Sequence, residues 1–299
     1  MRILITGANG HLGIRLINNL SVDHEVVAVV RSSAALAQVK DLHCRSLVVD
    51  YADVDGLAAA ARDCDVAVHL VGIIKKTRFN SYEQAHEIPC AALVSAAEKA
   101  GLKQIIALSI LGSDPDANNE CLASRGRSEV ILTAGSIPAR IIRVPMVLGE
   151  NDFASKALFG KARKIPGFGF RTASLEQPIY AGDIIEAISA IIERTPANEL
   201  IMLAGPEVLS RAELIKRAGR VIGKNPFTIS LPVVLGRLFA RALEMFMSSP
   251  PVTEDMIDLL DHDDEIDSET TARQIGIKLT SLDEMLSRVA VITNDQIIN

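Results

Sequence analysis

The sequence predicts an α/β fold, in which a doubly wound parallel sheet is followed by a small, mainly helical C-terminal part. Three observations favour this fold. Six short apolar runs alternate with helical patterns over the first half of the chain. The runs are apolar at nearly every position, as strands buried on both faces of a parallel sheet are. A glycine-rich turn joins the first run to the first helix, which is typical of a strand–turn–helix unit.

The strands are predicted, in chain order, at residues 2–6, 25–30, 46–49, 65–71, 104–109 and 139–144. The helices between them are predicted at residues 11–20, 33–40, 54–62, 81–100 and 119–134. Gly101 is expected to cap the fourth helix, because glycine adopts the left-handed conformation at a helix end without a steric penalty. Beyond the sixth strand, only a strand–helix unit at 179–194 and a strand at 200–204 continue the alternation. We therefore place one domain at 1–150 and a smaller one at 151–299, with 179–194 packing back onto the first.

Composition excludes several classes of protein. The 299 residues include 31 Lys and Arg against 37 Asp and Glu, so the net charge of −6 offers no basic surplus for a nucleic-acid partner. The four cysteines stand at no C-x-x-C spacing, which predicts neither a metal site nor a redox pair. The sequence has no apolar stretch of about 18–20 residues that could span a membrane. We therefore expect a cytoplasmic protein with free thiols.

Residues 7–13 read Gly-Ala-Asn-Gly-His-Leu-Gly between the first strand and the first helix. Glycines in such a turn allow a tight bend, close approach of the backbone to a pyrophosphate, and close packing of the helix. The unpaired N–H groups and the positive dipole end of the helix favour phosphate. The pattern therefore predicts a Rossmann-type dinucleotide site. The loop residues expected to contact the cofactor are Gly7, Asn9, Gly10, His11, Leu12 and Gly13.

The end of the second strand indicates which cofactor is preferred. An acid there would bind the adenosine ribose hydroxyls, whereas an arginine can receive a 2′-phosphate. This chain has Arg31 followed by Ser32, and no acid. A guanidinium can hold a phosphate through two parallel hydrogen bonds. We therefore predict NADP(H) rather than NAD(H), although Arg31 could also be a solvated arginine at a strand end.

The ends of the third and fourth strands supply further candidates. Asp50 could accept a hydrogen bond from the adenine amino group, or it could cap the helix that starts near residue 53. Tyr51 follows it and is expected to lie at the same edge of the sheet. Leu70, Val71 and Gly72 end the fourth strand, where the chain is expected to pass close to the cofactor.

With these features in order, the chain resembles the short-chain dehydrogenase/reductase superfamily, and its extended and atypical branches most of all. The G-x-x-G-x-x-G spacing is the form found there. The segment from Arg143 to Gly149 is similar to the Arg-x-Pro…Gly segment of those proteins, which implies that Pro145 contacts the cofactor. The segments 178–187 and 205–214 resemble their later motifs. The most similar group includes the NADPH-binding accessory subunit of respiratory complex I and the NmrA-like redox sensors, whose members often bind the cofactor without turnover.

The resemblance fails at the catalytic pair. Active members carry Tyr-x-x-x-Lys on the helix after the fifth strand, and this chain has Cys121 and Arg125 at those positions. Ser109 matches the family's active-site serine and is implied to contact both cofactor and substrate. A nearby cation would lower the pKa of the Cys121 thiol and suit it to acid/base or redox chemistry, but a small buried filler is the commoner role. Arg125 could still hold the nicotinamide ribose.

Residues 231–247 are strongly apolar, with charged residues at helical spacing on one side. We expect this helix to cover the core, with peripheral docking on a membrane or a partner protein as the alternative.

For the whole chain, the leading hypothesis is an NADP(H)-binding protein whose cofactor is structural or sensed and whose output is an assembly or partner interaction. The second is an oxidoreductase or epimerase/dehydratase acting on a small carbonyl or sugar-like substrate, with a displaced acid/base.

Overall fold

The computed structural model describes residues 1–77, 79–247, 250, 252–259 and 263–295. The chain divides into two compact units. The first comprises Met1–Arg143 and Ile185–Ile201, and the second comprises Val144–Ile184 and Met202–Asn299. Of the strand–helix unit predicted at 179–194, residues 185–194 are counted with the first unit and residues 179–184 with the second.

Strands and helices alternate through the first part of the chain as the sequence predicts. In order, these elements are β1 (Arg2–Thr6), α1 (His11–Leu20), β2 (Glu25–Val30), α2 (Ser33–Leu36), β3 (Arg45–Val48), α3 (Val54–Ala60), β4 (Val66–His69), α4 (Ile88–Ala100), β5 (Gln104–Ile110), α5 (Glu120–Ala134) and β6 (Ala139–Val144). The later elements are β7 (Val147–Leu148), α6 (Phe153–Ala162), β8 (Gly167–Phe170), β9 (Leu175–Glu176), β10 (Ile179–Tyr180), α7 (Ala181–Ile192), β11 (Glu199–Met202), β12 (Leu209–Ser210), α8 (Arg211–Val221), β13 (Thr228–Leu231), α9 (Val233–Phe246), α10 (Glu254–Leu259), α11 (Ser268–Ile275) and α12 (Leu282–Asp295).

A seven-stranded sheet in the order β11-β6-β5-β4-β1-β2-β3 forms the centre of the first unit. β1 pairs in parallel with both β2 and β4, with Ile3 opposite Val26 on one side and Val66 on the other. The chain changes direction across the sheet between β1 and β4, and ligands of such sheets bind beside this switch point at the carboxyl ends of the strands. The predicted Rossmann-type α/β fold is therefore confirmed, and the loops after β1 and β4 flank its expected binding crevice.

Two predicted helices differ from the structure. The helix expected at 33–40 is only Ser33–Leu36, because the chain then turns and buries Val39 completely. The helix expected at 81–100 starts with a π-helical turn over Glu83–Glu87 before α4. Pro89 lies in the first turn of α4 and has no N–H to donate, which accounts for the irregular hydrogen bonding there. Gly101 caps α4 at φ +71°, as predicted.

The second unit is mainly helical and has its own core, in which α6, α8 and α12 bury Phe159, Leu214 and Leu286. The expectation that residues 231–247 cover the core is wrong. Of the α9 residues, only Gly236 and Ala240 are buried. No helix in the described part of the chain is long and apolar enough to cross a membrane.

Candidate functional site

The glycine loop has the geometry of a phosphate cradle. Gly7 adopts φ +73°, and a Cβ there would lie 2.9 Å from the Leu70 carbonyl carbon. A Cβ on Gly13 would lie 2.5 Å from the Ala8 carbonyl oxygen, so α1 can approach the loop only because this residue is glycine. No side chain caps α1, and no acid occupies its first turn. The helix terminus therefore offers N–H groups and a positive dipole end to an anion.

The Tyr51 side chain holds the glycine loop in place through hydrogen bonds. Its hydroxyl accepts a hydrogen bond from the Gly7 N–H at 3.0 Å and donates one to the Val29 carbonyl at 3.1 Å. The side chain is buried, and this burial raises the pKa of its phenol. Tyr51 thus ties the loop to β2, a role that no local pattern in the sequence indicates. Its predicted contact with the cofactor stays a prediction.

Residues after β2 and beside the loop occupy the edge where an adenosine ribose is expected. Arg31 is exposed and forms no ion pair with another residue that the structure describes. The Ser32 hydroxyl accepts from the Ala35 N–H at 3.2 Å and caps α2. Asn9 donates to the Gln38 side chain at 3.5 Å. The predicted contact of Arg31 with a 2′-phosphate stays a prediction.

The alternative role considered for Asp50 is wrong. Asp53, not Asp50, caps α3 by accepting from the Gly56 N–H at 3.0 Å. Asp50 instead accepts from the Ala52 N–H at 2.9 Å in a local turn. This turn orients the exposed Asp50 carboxylate at the end of β3, and its predicted hydrogen bond to adenine stays a prediction.

Arg125 is anchored beneath the end of β4. Its Nη1 donates to the Val71 carbonyl at 3.2 Å and to the Leu108 carbonyl at 3.4 Å, which links the ends of β4 and β5. A Cβ on Gly72 would overlap the Nη2 atom, so glycine is needed for this approach. The buried Nε atom has no hydrogen-bond partner among the described residues, and burial lowers the pKa of the guanidinium. The sequence placed these residues at one site, and the structure brings Val71, Gly72 and Arg125 together.

Ser109 lies at the end of β5 in a hydrogen-bonded cluster that sequence reasoning missed. Its hydroxyl donates to Glu129 Oε1 at 2.5 Å and lies 3.2 Å from the Ser113 hydroxyl. Glu129 is also paired with Arg143, whose Nη2 donates to Oε2 at 2.5 Å. Glu129 stands one turn beyond Arg125 on α5, and nothing in the local pattern marks it as a partner of Ser109. The serine hydroxyl is therefore already bonded to a carboxylate.

Cys121 and the tyrosines are engaged with the protein itself. The Cys121 side chain is fully buried, and its thiol donates to the Ile73 carbonyl at 3.7 Å. Tyr82 donates to the Ile74 carbonyl at 3.3 Å, and Tyr180 donates to Glu150 at 2.6 Å. With Tyr51 bonded to the loop, each of the three tyrosines of the chain donates to a protein acceptor. Each tyrosine hydroxyl is thus bonded to the protein, and the absence of the Tyr-Lys acid/base pair stays a prediction. Pro145 lies in the second unit, and its predicted cofactor contact is not tested.

Two histidines are buried near the site, His69 at the end of β4 and His86 in the π-helical turn before α4. His69 Nδ1 is 2.7 Å from the Thr6 hydroxyl, and its Nε2 is 3.5 Å from the Cys90 thiol. His86 Nε2 accepts from the Ile73 N–H at 3.1 Å. Burial, aided by the Arg125 charge, lowers the pKa of both histidines to about 3, so both are neutral at pH 7. The thiol of Cys90 has its pKa raised to about 12 by burial and is protonated.

The protein should lose stability on mild acidification. A histidine whose pKa is about 3 when folded and 6.5 when unfolded contributes stability above pH 6.5, and this stability is lost as the pH falls toward 3. At pH 5 we expect the free energy of unfolding to be lower by about 2 kcal/mol for each histidine than at pH 7. Urea unfolding at the two pH values measures this difference. His69→Asn should remove one histidine's share of the pH dependence, and His43→Gln, at an exposed position, should remove none. Equal stability at both pH values would contradict the assignment.

Comparisons with known proteins agree with this geometry. Residues 7–152 match the family model described as NAD(P)H-binding. Ceramide reductase of Caulobacter vibrioides is 26% identical over 77% of this chain and 73% of its own length. The 40 kDa subunit of mitochondrial NADH-ubiquinone oxidoreductase from Neurospora crassa is 24% identical over 92% of this chain and 74% of its own. The crystal structure of UDP-glucuronic acid 4-epimerase from Bacillus cereus in complex with NAD has a TM-score of 0.76 and 18% identity, and the match covers 99% of each chain.

These matches confirm the resemblance found from the sequence. The first half of the chain is similar to NAD(P)H-binding domains, and a complex I subunit is among its relatives. The likeness to the epimerase concerns the fold. The glycine cradle, the open terminus of α1 and the exposed Arg31 fit a nicotinamide dinucleotide.

Proposed function

We propose that this chain, whose residues 7–152 match the model of NAD(P)H-binding domains, binds NADP(H) in preference to NAD(H). The protein holds the cofactor without using it for routine hydride transfer. Its output is then contact with a partner protein, in the cytoplasm. The arrangement of Cys121 and Arg125 carries this proposal. At the positions of the missing Tyr-Lys pair, a buried thiol faces a backbone carbonyl and a guanidinium is bonded to two others. Neither group is placed to give a proton to a substrate.

The glycine loop, the terminus of α1, Arg31 and Arg125 are suited to binding a dinucleotide. A bound dinucleotide supplies two bridging phosphates, a nicotinamide ring that can give or take a hydride and, in NADP(H), a 2′-phosphate. The loop at 7–13 and the terminus of α1 present N–H groups to the bridging phosphates. Arg31 binds the 2′-phosphate as a cation that pairs with no carboxylate in the described part of the chain. Arg125 orients the strand ends beneath the nicotinamide half and brings a positive charge there.

A complex I subunit among the relatives supports the partner role. The 40 kDa subunit from Neurospora crassa matches 92% of this chain, so the likeness extends beyond the dinucleotide domain. A protein that holds a cofactor for structural reasons needs the phosphate contacts and the crevice but no acid/base. The glycine loop and the uncapped terminus of α1 support this proposal, because both are suited to phosphate.

A second candidate is a carbonyl reductase, which the match to ceramide reductase favours. In that case Ser109 would orient the substrate carbonyl, and Glu129, 2.5 Å from the serine hydroxyl, would exchange the proton that the missing tyrosine supplies elsewhere. The Glu129 carboxylate is also bonded by the Arg143 guanidinium, whose Nη2 donates to Oε2 at 2.5 Å.

Turnover of NADPH distinguishes the two candidates. We expect no oxidation of NADPH above the buffer rate when the protein is mixed with aldehydes, ketones or a ceramide, followed by the absorbance of the reduced nicotinamide. Cys121→Ala should leave both this rate and the affinity for NADPH unchanged, because the thiol faces the protein. Substrate-dependent oxidation that Ser109→Ala abolishes would establish the reductase and contradict the leading proposal.

A further inference from the structure

Helix α9 exposes a continuous apolar face. The face lies within an arc of about 140° at 3.6 residues per turn. Its exposed members are Val234, Leu235, Leu238, Phe239, Ala242, Met245 and Phe246. The Phe239 side chain is 60% exposed and that of Phe246 is 82% exposed. Exposed apolar patches of this kind mark sites of interaction with a partner or a membrane.

The polar side of α9 is the side that packs on the protein. Arg237 donates to Asp258 at 2.6 Å, and Arg241 donates to Glu254 at 2.8 Å, both on α10. The Glu244 carboxylate accepts the N–H of Glu254 at 2.9 Å. These contacts fix the rotation of the helix, so its apolar face points away from α10. An amphipathic helix that only covered a core would have the opposite orientation.

A two-stranded ribbon extends the apolar surface. β8 pairs in parallel with β13, with Phe168 opposite Ile229, and the Phe168 side chain is 58% exposed. Phe170, two residues on and therefore on the same face of the ribbon, packs its ring against Gly236 of α9. Phe227, just before β13, is also exposed. We name α9's exposed face together with Phe168, Phe227 and Ile229 the apolar platform.

Cations flank the platform although the chain as a whole is acidic. Residues 153–175 contain five Lys and Arg and no Asp or Glu, within a chain of net charge −6. Lys164 precedes β8, and Lys224 precedes Phe227 and β13. Both lysines are exposed, and neither forms an ion pair with a residue that the structure describes. Unpaired lysines beside exposed aromatic residues complement an anionic, amphiphilic surface.

We propose that the apolar platform docks on the surface of an anionic bilayer. The aromatic and aliphatic side chains enter the boundary between headgroups and acyl chains, and Lys164 and Lys224 contact the anionic headgroups. A bilayer fits better than a protein, because the exposed arc of α9 presents no polar side chain. Protein interfaces combine their apolar centre with about one hydrogen bond per 100–200 Å². This surface adds peripheral attachment to the dinucleotide-binding role and does not depend on it.

Flotation of the full chain with lipid vesicles tests the proposal. We expect the protein to float with vesicles of phosphatidylcholine and phosphatidylglycerol, and less with phosphatidylcholine alone. Leu238→Glu and Phe239→Glu should each reduce the bound fraction strongly, because a carboxylate must then enter the membrane boundary. Lys164→Glu combined with Lys224→Glu should weaken binding to the anionic vesicles by about tenfold or more. Val22→Glu, at a 77% exposed apolar position in the first unit, is the matched control and should bind like wild type.

Four results would overturn the proposal. The first is a wild-type protein that does not float with either kind of vesicle. The second is equal flotation of wild type and Phe239→Glu, which would place the contact elsewhere. The third is a wild-type dimer in light scattering that Phe239→Glu dissociates, with no flotation, which would make a second copy of the chain the occupant of the platform. Unchanged flotation of the double lysine variant would overturn the role of anionic lipid. A cooperative urea unfolding transition like that of the wild type serves as the check that each variant is folded.

Discussion

Replacing Gly13 by alanine is expected to weaken dinucleotide binding by about 100-fold or more, which corresponds to about 2.7 kcal/mol. A Cβ at this position would lie 2.5 Å from the Ala8 carbonyl oxygen and 2.6 Å from that of Gly7. These contacts are with backbone atoms, so no side-chain movement relieves them. The loop and α1 must separate, and the N–H groups that face the phosphates then no longer point to the same position. Isothermal titration calorimetry with NADPH measures the loss.

Gly160→Ala is the matched control for this substitution. Gly160 lies in α6 of the second unit, and a Cβ there has open space around it. We expect that variant to bind NADPH like wild type and to be slightly more stable, because alanine has the higher helix propensity. A folded Gly13→Ala variant that binds NADPH with unchanged affinity would show that the loop does not form the phosphate site.

Removal of the Glu129 carboxylate should have the largest effect on stability. Glu129→Ala leaves the Arg143 guanidinium without its bidentate partner, and both side chains of this pair are at most 18% exposed. Breaking a buried pair on one side typically costs about 3 kcal/mol or more, because the remaining charge is desolvated without compensation. Ser109 also loses its acceptor at 2.5 Å. Urea unfolding at pH 7 should show this decrease in the free energy of unfolding.

Two further variants define the cause of that decrease. Glu129→Gln keeps the shape and one acceptor oxygen, so we expect a clearly smaller loss than for alanine. Asp55→Ala removes an exposed carboxylate that pairs with Lys99 at 2.8 Å, and it should not change stability measurably. If Glu129→Ala were as stable as wild type, the Ser109–Glu129–Arg143 cluster would not hold the end of β5 in place.

The features that the sequence predicts well are local. The strand, the glycine turn and the first helix lie within 20 consecutive residues. Steric limits require glycine at particular positions of the turn, so the requirement is visible as a spacing in the sequence. The parallel sheet follows from the apolar runs, because buried strands leave a composition signal of their own. The position of Arg31 could also be predicted, because it requires only that the end of the second apolar run be located.

The features that the sequence could not predict are contacts between distant residues. Tyr51 bonds to Gly7 across 44 positions, and Ser109 bonds to Glu129 across 20. No local pattern links the two partners of either pair, and the fold alone brings them together. The outward face of α9 is a related case. Its period showed an amphipathic helix, but which side the protein covers is decided by ion pairs with α10.

Titration of the wild-type protein and of Arg31→Ala with NADPH and with NADH, by calorimetry, tests the central claim most directly. Protein freed of any copurified cofactor should bind NADPH more tightly than NADH. Arg31→Ala should weaken NADPH by about tenfold or more and leave NADH nearly unchanged, because only NADPH carries the 2′-phosphate. Equal losses for both cofactors would contradict the role given to Arg31. Absence of binding to either cofactor would contradict the assignment of a dinucleotide site to the glycine loop.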